Sequence, residues 1–143
     1  MRLFLDACAL IYRFEGAHTF RQATTALLQQ LTAQQTAVEL AVSRLSVMEC
    51  RVKPLRDGNA ALLQRYADFF ASVQILELDA TVVDMATDLR ARHGLKTPDA
   101  LQAASALIWQ RMGGEALFVT ADQGFDRVPT LAVRLIKVPH QTD

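Results

Sequence analysis

Short apolar runs and longer segments of helical period take turns along this chain, and that alternation narrows the possible folds more than any other feature. Residues 2–5 form an apolar run that reads as a strand, and residues 9–14 read as a short helix. Over residues 18–35, Phe20, Ala23, Leu27, Leu28 and Leu31 recur near a helical period. Residues 38–42 partly alternate and suggest a second strand, after which Leu45, Met48, Val52 and Leu55 step at helical spacing. Pro54 is expected to kink or end that helix. Beyond the turn signal Asp57-Gly58-Asn59, residues 60–71 are helical by pattern and residues 73–78 read as a strand. Asp79 or Thr81 is expected to cap a helix that carries Val82, Met85, Ala86 and Leu89 on one face and ends at Gly94. Thr97-Pro98-Asp99 opens the next helix, with Thr97 expected as its N-cap. That helix runs to Gly113-Gly114, and residues 116–120 and 132–138 are the last expected strands. Strands that alternate with helices argue for an α/β fold, a mainly parallel sheet with helices on both faces. In such sheets ligands bind beyond the carboxyl ends of the strands.

The chain's 143 residues, 51% of them hydrophobic, suit one domain, taken as residues 1–143. No repeat or low-complexity stretch is present. No apolar run approaches the ~20 residues that span a membrane, and Asp6 interrupts any signal-like apolar start; the expected location is the cytoplasm, without membrane attachment. The 15 basic residues balance the 15 acidic ones, so the chain is not built to coat nucleic acid. Basic residues are nonetheless gathered at Arg44, Arg51, Lys53, Arg56 and Arg65, and again at Arg90, Arg92 and Lys96. Each group suits phosphate contacts or simply a solvated helix face.

Four acids stand where solvation alone explains them less well. Asp6 interrupts the run Leu3-Phe4-Leu5 and Ala7-Cys8-Ala9-Leu10-Ile11. A charge so placed costs several kcal/mol or more unless paired or metal-bound, roughly; the alternative is a helix N-cap. Glu49 shares a face with Leu45 and Val52, as a functional acid or as a snorkelling carboxylate. Asp99, in a first helical turn, is also explained by the helix dipole. Asp122 closely follows the strand ending at Thr120, and an Asx-turn is its plain alternative. Asp126 follows four residues later and faces the same way, pairs with Arg127 or points into water.

These positions can converge on one rim of an α/β sheet, where four like charges repel one another unless cations are present. Oxygen-only donors suit hard ions such as Mg²⁺ or Mn²⁺. Cys8 and Cys50 form no CxxC motif and read as reduced thiols; His18, His93 and His140 show no ligand spacing with them, which argues against zinc. No Walker lysine loop, GxGxxG or GxSxG occurs.

Four blocks then carry a resemblance. They are Leu5-Asp6-Ala7-Cys8-Ala9-Leu10-Ile11-Tyr12, Val42-Ser43-Arg44-Leu45-Ser46-Val47-Met48-Glu49, Thr97-Pro98-Asp99-Ala100-Leu101-Gln102-Ala103-Ala104-Ser105-Ala106 and Phe118-Val119-Thr120-Ala121-Asp122-Gln123-Gly124-Phe125. In order and spacing they resemble the PIN domain, most of all the single-domain VapC-type toxins of prokaryotic toxin–antitoxin pairs. The resemblance implies a three-layer α/β/α sandwich around a parallel sheet and a Mg²⁺- or Mn²⁺-dependent endoribonuclease. It implies catalytic and metal-binding roles for Asp6, Glu49, Asp99 and Asp122, with Thr120 and Asp126 as accessory positions. It also implies an RNA substrate, a homodimer and a cognate antitoxin protein. Cys8 departs from the pattern: the family often has Asn or Ser there, and a thiol is a weaker hydrogen-bonding group.

With no histidine or cysteine placed as base or nucleophile, the expected chemistry is metal-assisted hydrolysis, with Glu49 or Asp126 orienting water and Arg13, Arg44 and Arg51 guiding the RNA backbone. Three other readings remain at this point: a PIN nuclease of RNA processing or DNA structure cleavage, a phosphohydrolase with Asp6 as nucleophile, and a non-catalytic interaction module. The phosphohydrolase wants a second Asp where Cys8 stands.

Overall fold

A computed structural model describes residues 1–138. The elements in chain order are β1 (Arg2–Leu5), α1 (Ala7–Glu15), α2 (His18–Thr32), β2 (Glu39–Ser43), α3 (Arg44–Asp57), α4 (Ala60–Ala71), β3 (Gln74–Leu76), α5 (Ala80–His93), α6 (Thr97–Gly113), β4 (Leu117–Thr120), a 3-10 turn (Gln123–Arg127) and β5 (Ala132–Leu135). The five strands form one sheet in the order β3-β2-β1-β4-β5, and every pairing is parallel.

The sheet's two faces follow from strand alternation. Phe4, aligned with Ala41 on β2 and Phe118 on β4, points to the side covered by α5 and α6. Leu3 and Leu5, with Val42 and Val119, point to the side where α1, α3 and α4 contribute Leu10, Cys50, Tyr66 and Phe70. Leu27, Leu28 and Leu31 of α2 pack against this second cluster. Three layers result, the α/β/α sandwich expected from the alternation and the resemblance. Arg2 fastens the amino edge: its guanidinium lies 3.9 Å from the Trp109 ring centroid and donates to the carbonyls of Trp109 and Gly114 at the end of α6.

Local chemistry explains the element ends. Asp79 caps α5 by accepting from the Val82 N–H, and Gly94 ends it in the left-handed region at φ 68°, as expected. Several boundaries depart from expectation. Lys96, not Thr97, is the N-cap residue of α6, and it makes no side-chain capping bond. Pro98 therefore lies inside the first turn, where an N–H has no helical partner to lose. Pro54 does not end α3, which continues to Asp57 and closes at Gly58 with φ 66°. In addition, α2 stops at Thr32, β3 is confined to Gln74–Leu76 and β5 ends at Leu135. The largest correction concerns α3. Met48, Val52 and Leu55 are exposed, and the helix instead buries Leu45, Ser46, Val47, Cys50 and Pro54. Helical periodicity identifies a face but not which face turns inward. His140 lies outside the described residues.

Phe118 lies on β4 beside the central strand, stacked on Phe4 at 5.6 Å and tilted against Phe125 at 4.6 Å between ring centroids. Phe118→Ala empties that position, and we expect urea denaturation to report a loss of about 3–5 kcal/mol.

Candidate active site

Strand order reverses direction between β1 and β4: from β1 the chain proceeds outward through β2 and β3 on one side, and through β4 and β5 on the other. The crevice at the carboxyl ends of two such strands is where open α/β sheets bind ligands. Asp6 immediately follows β1, and Asp122 lies two residues past β4.

Asp6 does cap α1, since its Oδ1 accepts from the Ala9 N–H at 3.0 Å. The capping explanation does not exhaust the side chain. Asp6 is only 5% exposed, and its Oδ2 accepts from the Thr120 hydroxyl at 2.5 Å. The Cys8 thiol donates to the same carboxylate, with Sγ 3.1 and 3.3 Å from its two oxygens. Thr120 Oγ1 in turn accepts from the Asp122 N–H at 3.0 Å, and Cys8 Sγ accepts from the Ala121 N–H at 3.4 Å. Asp6 also donates its backbone N–H to the Val119 carbonyl at 3.3 Å. Side chains and backbone thus tie the end of β1 to the end of β4 around one carboxylate.

The other acids meet Asp6 electrostatically. Burial raises the pKa of Asp6 above the ordinary carboxylate value, and the charge of Asp122 raises it further, against the lowering effect of its hydrogen bonds. Glu49, half-buried on α3, is raised by burial and then by Asp6 and Asp99. Asp99, in the first turn of α6, is raised by burial and by Asp122, while Lys96 and Arg127 oppose the shift. Every one of the four acids therefore acts on, or responds to, at least two of the others. Asp122 is exposed and forms the Asx-type contact expected of a turn, its Oδ1 accepting from the Gly124 N–H at 2.8 Å.

The accessory candidates fare differently. Thr120 is fully buried and bridges Asp6 and Asp122. Asp126 is exposed on the 3-10 turn and borders a groove with Ala23, Leu27, Arg134 and Lys137. Among the cations, Arg44 is engaged by Glu77, with Nε 2.5 Å from Oε1 and Nη2 2.9 Å from Oε2. Arg13 lines an apolar cavity between α1, α2 and α4, and Arg51 a groove between α3 and α4. The cations whose charge reaches the acids are Lys96, which the sequence groups with Arg90 and Arg92 as suited to phosphate contacts or to a solvated face, and Arg127, which it does not single out as a phosphate contact. Lys96 was legible as a basic residue three positions before Asp99. Cys8 as a donor to Asp6 was missed as well, although it stands two residues away.

A donor set of four carboxylates, one of them buried, suits a hard divalent cation in its chemistry. Among the described residues, no three acidic, imidazole or thiol side chains stand close enough to share one ion as placed. Glu49, half-buried on a helix with three rotatable torsions, has the most reach of the four for closing on one.

The raised value of Asp6 has a stability consequence. Protonation of Asp6 contributes stability that is complete below the ordinary carboxylate value of about 3.9 and is lost as pH rises through the raised folded value. At neutral pH the raised value is a net cost to the metal-free fold. Asp6→Asn retains a cap acceptor for Ala9 and removes that cost. Thermal unfolding in EDTA at pH 7 is expected to give a higher Tm for Asp6→Asn than for wild type, with the gap narrowing on acidification toward pH 4. A lower Tm for the variant would mean that the ionic hydrogen bonds outweigh burial.

The profile of one family, the PIN domain, matches residues 3–131. No curated protein matches the sequence. Solved structures do resemble the fold. VapBC2 from Rickettsia felis, bound to a DNA fragment from its promoter, has a chain of 18% identity and TM-score 0.71, the match covering 96% of this chain and 100% of that one. A toxin–antitoxin complex from Klebsiella pneumoniae gives 21% identity and TM-score 0.70, covering 94% of this chain and 98% of that one. VapBC-1 from nontypeable Haemophilus influenzae gives 14% identity and TM-score 0.70, with the same coverage. At these identities the solved structures speak for the fold alone, while the family match spans nearly the whole chain. With that match added to the parallel sheet and the acids at its switch point, the chain belongs to the PIN-domain family.

Proposed function

We propose that this protein is a metal-dependent endoribonuclease, the toxin of a toxin–antitoxin pair, hydrolysing RNA phosphodiester bonds at Asp6, Glu49, Asp99 and Asp122. The observation that carries the reading is the Asp6 carboxylate buried at the switch point of the sheet, with Glu49, Asp99 and Asp122 near enough to act on one another's charge around it. Membership of the PIN family supports it, as does the likeness to chains from VapBC complexes.

In this reading the four carboxylates hold Mg²⁺, with Mn²⁺ able to substitute. When bound, the cation supplies Lewis-acid charge to the phosphate and makes a coordinated water more acidic. The protein's own groups do the positioning. Thr120 and Cys8 fix the Asp6 carboxylate in one orientation through their hydrogen bonds. Glu49, half-buried and within reach of the charges of Asp6 and Asp99, orients the attacking water. Lys96 and Arg127, already within electrostatic reach of Asp99, draw the RNA backbone toward the acids. Asp126, on the groove beside β5, is left outside this scheme. A cognate antitoxin protein is the proposed inhibitor and a homodimer the proposed assembly. No described helix is long and apolar enough to cross a membrane.

Total cellular RNA incubated with antitoxin-free protein is expected to show discrete cuts with Mg²⁺ or Mn²⁺ and none with EDTA. Asp6→Asn and Asp99→Asn, folded by circular dichroism, are expected to abolish the cuts, and Glu49→Gln to slow them by about 10²-fold or more. A folded wild type that neither cuts RNA nor binds Mn²⁺ by calorimetry would remove the nuclease reading. Thr120→Val deletes a hydrogen bond to a carboxylate and is expected to weaken Mn²⁺ binding about tenfold or more, measured by calorimetry.

A further inference from the structure

A buried polar seam runs between α3 and α6 and ends at two of the acids. Its first rung joins Ser43, the residue that caps α3, to Ser105, whose Oγ lies 3.4 Å from Ser43 Oγ. This rung is weak, because Ser105 also donates to the Leu101 carbonyl at 2.8 Å. The second rung is stronger: Gln102 Nε2 donates to Ser46 Oγ at 2.8 Å. Three residues further along α3 comes Glu49, and three residues back along α6 comes Asp99. The rows 43, 46, 49 and 105, 102, 99 therefore lie side by side in opposite directions, at the spacing that keeps residues on one helix face.

The strong rung is an unusual choice for a core. Ser46 is 0% exposed and Gln102 4%, and Ala100, Ala103 and Ala104 around Gln102 are all buried. Gln102 Oε1 is buried and meets no hydrogen-bond partner among the described residues. An unpaired buried acceptor costs stability, and a leucine would fill the position without that cost. What the amide provides is direction. Apolar contacts allow two helices to slide past each other, whereas a hydrogen bond between Gln102 and Ser46 fixes one register.

We propose that Gln102, through its hydrogen bond to Ser46, is a positioning residue that locks α3 against α6 so that Glu49 stands opposite Asp99. Its consequence for metal rests on the four-acid reading above; the register itself is testable without metal.

The first measurement is a double-mutant cycle by thermal unfolding in EDTA, using Glu49→Gln, Asp99→Asn and the pair, in wild type and in Gln102→Leu. In wild type each single change relieves the same repulsion, so the gain in Tm for the pair falls short of the sum. In Gln102→Leu that shortfall is expected to vanish. Absence of a shortfall in wild type, or the same shortfall in Gln102→Leu, overturns the proposal. Ser46→Ala deletes the same hydrogen bond with a smaller change of volume, and serves as the background for the same comparison should Gln102→Leu not fold.

The second measurement is Mn²⁺ binding by calorimetry. Gln102→Leu is expected to bind about tenfold or more weakly, while its Tm in EDTA holds or rises because the unpaired acceptor is gone. Adding Ser46→Ala to Gln102→Leu brings no further loss of affinity. A merely structural role lowers Tm and leaves both the cycle and the Mn²⁺ affinity unchanged, which overturns the proposal. If wild type binds no Mn²⁺ while Gln102→Leu still abolishes the shortfall, the register stands and the metal reading falls. Mn²⁺ binding of equal strength in wild type and Gln102→Leu, with an unaltered cycle, has the opposite meaning.

Discussion

Burying a carboxylate at the carboxyl end of the central strand constrains the structure around it. Asp6 cannot be solvated there, so its oxygens must be met by donors from the protein, and the Ala9 N–H, the Thr120 hydroxyl and the Cys8 thiol meet them. Two of these donors come from the start of α1, and one comes from the end of β4. The arrangement needs β1 and β4 to be neighbours and parallel, which the register Leu5 to Val119 provides. Hydrogen bonds compensate desolvation only in part, as the raised pKa of Asp6 shows. The remainder is the electrostatic tension that a cation relieves in the proposed function.

The same logic extends outward. Glu49 and Asp99 come from helices on different sides of the sheet's edge, so their approach depends on packing between α3 and α6 rather than on any strand. A core made only of alanines and leucines gives such packing little directional information. The serines and the glutamine along the seam supply it, at the cost of one unpaired oxygen. The site thus has two parts of different character: a hydrogen-bonded strand junction holding Asp6 and Thr120, and a helix–helix contact holding the other pair of acids.

Much of this was legible in the residues. Alternation of apolar runs with helical periods gives a parallel sheet covered on both faces, and Asp6 and Asp122 stand out by following strands. The capping chemistry of Asp79 and Gly94 is local and reads directly. What did not read were contacts between residues distant in sequence. Arg44 meets Glu77 across 33 positions, so its engagement is invisible to local patterns. On α3 the pattern of apolar residues pointed to Met48, Val52 and Leu55 as the inward face, whereas the smaller Ser46, Val47 and Cys50 are the buried ones. For Ser46 and Gln102 the available signal is polar residues three apart in apolar helices, a pattern that does not say which helix they meet.

The strand order also has a temporal consequence. The central strand is made first, but its neighbour β4 arrives more than a hundred residues later, with Thr120 and Asp122. Until then β1 has β2 on one side but lacks β4 on the other, and Asp6 has no hydroxyl on its Oδ2. At synthesis rates of roughly 5–20 residues per second, a nascent chain spends seconds with its first acid made and its cluster unassembled. Local helices can form in that interval, but the non-local pairing that completes the crevice has to wait. A growing polypeptide of this topology therefore assembles its acidic cluster only after β4 has been made.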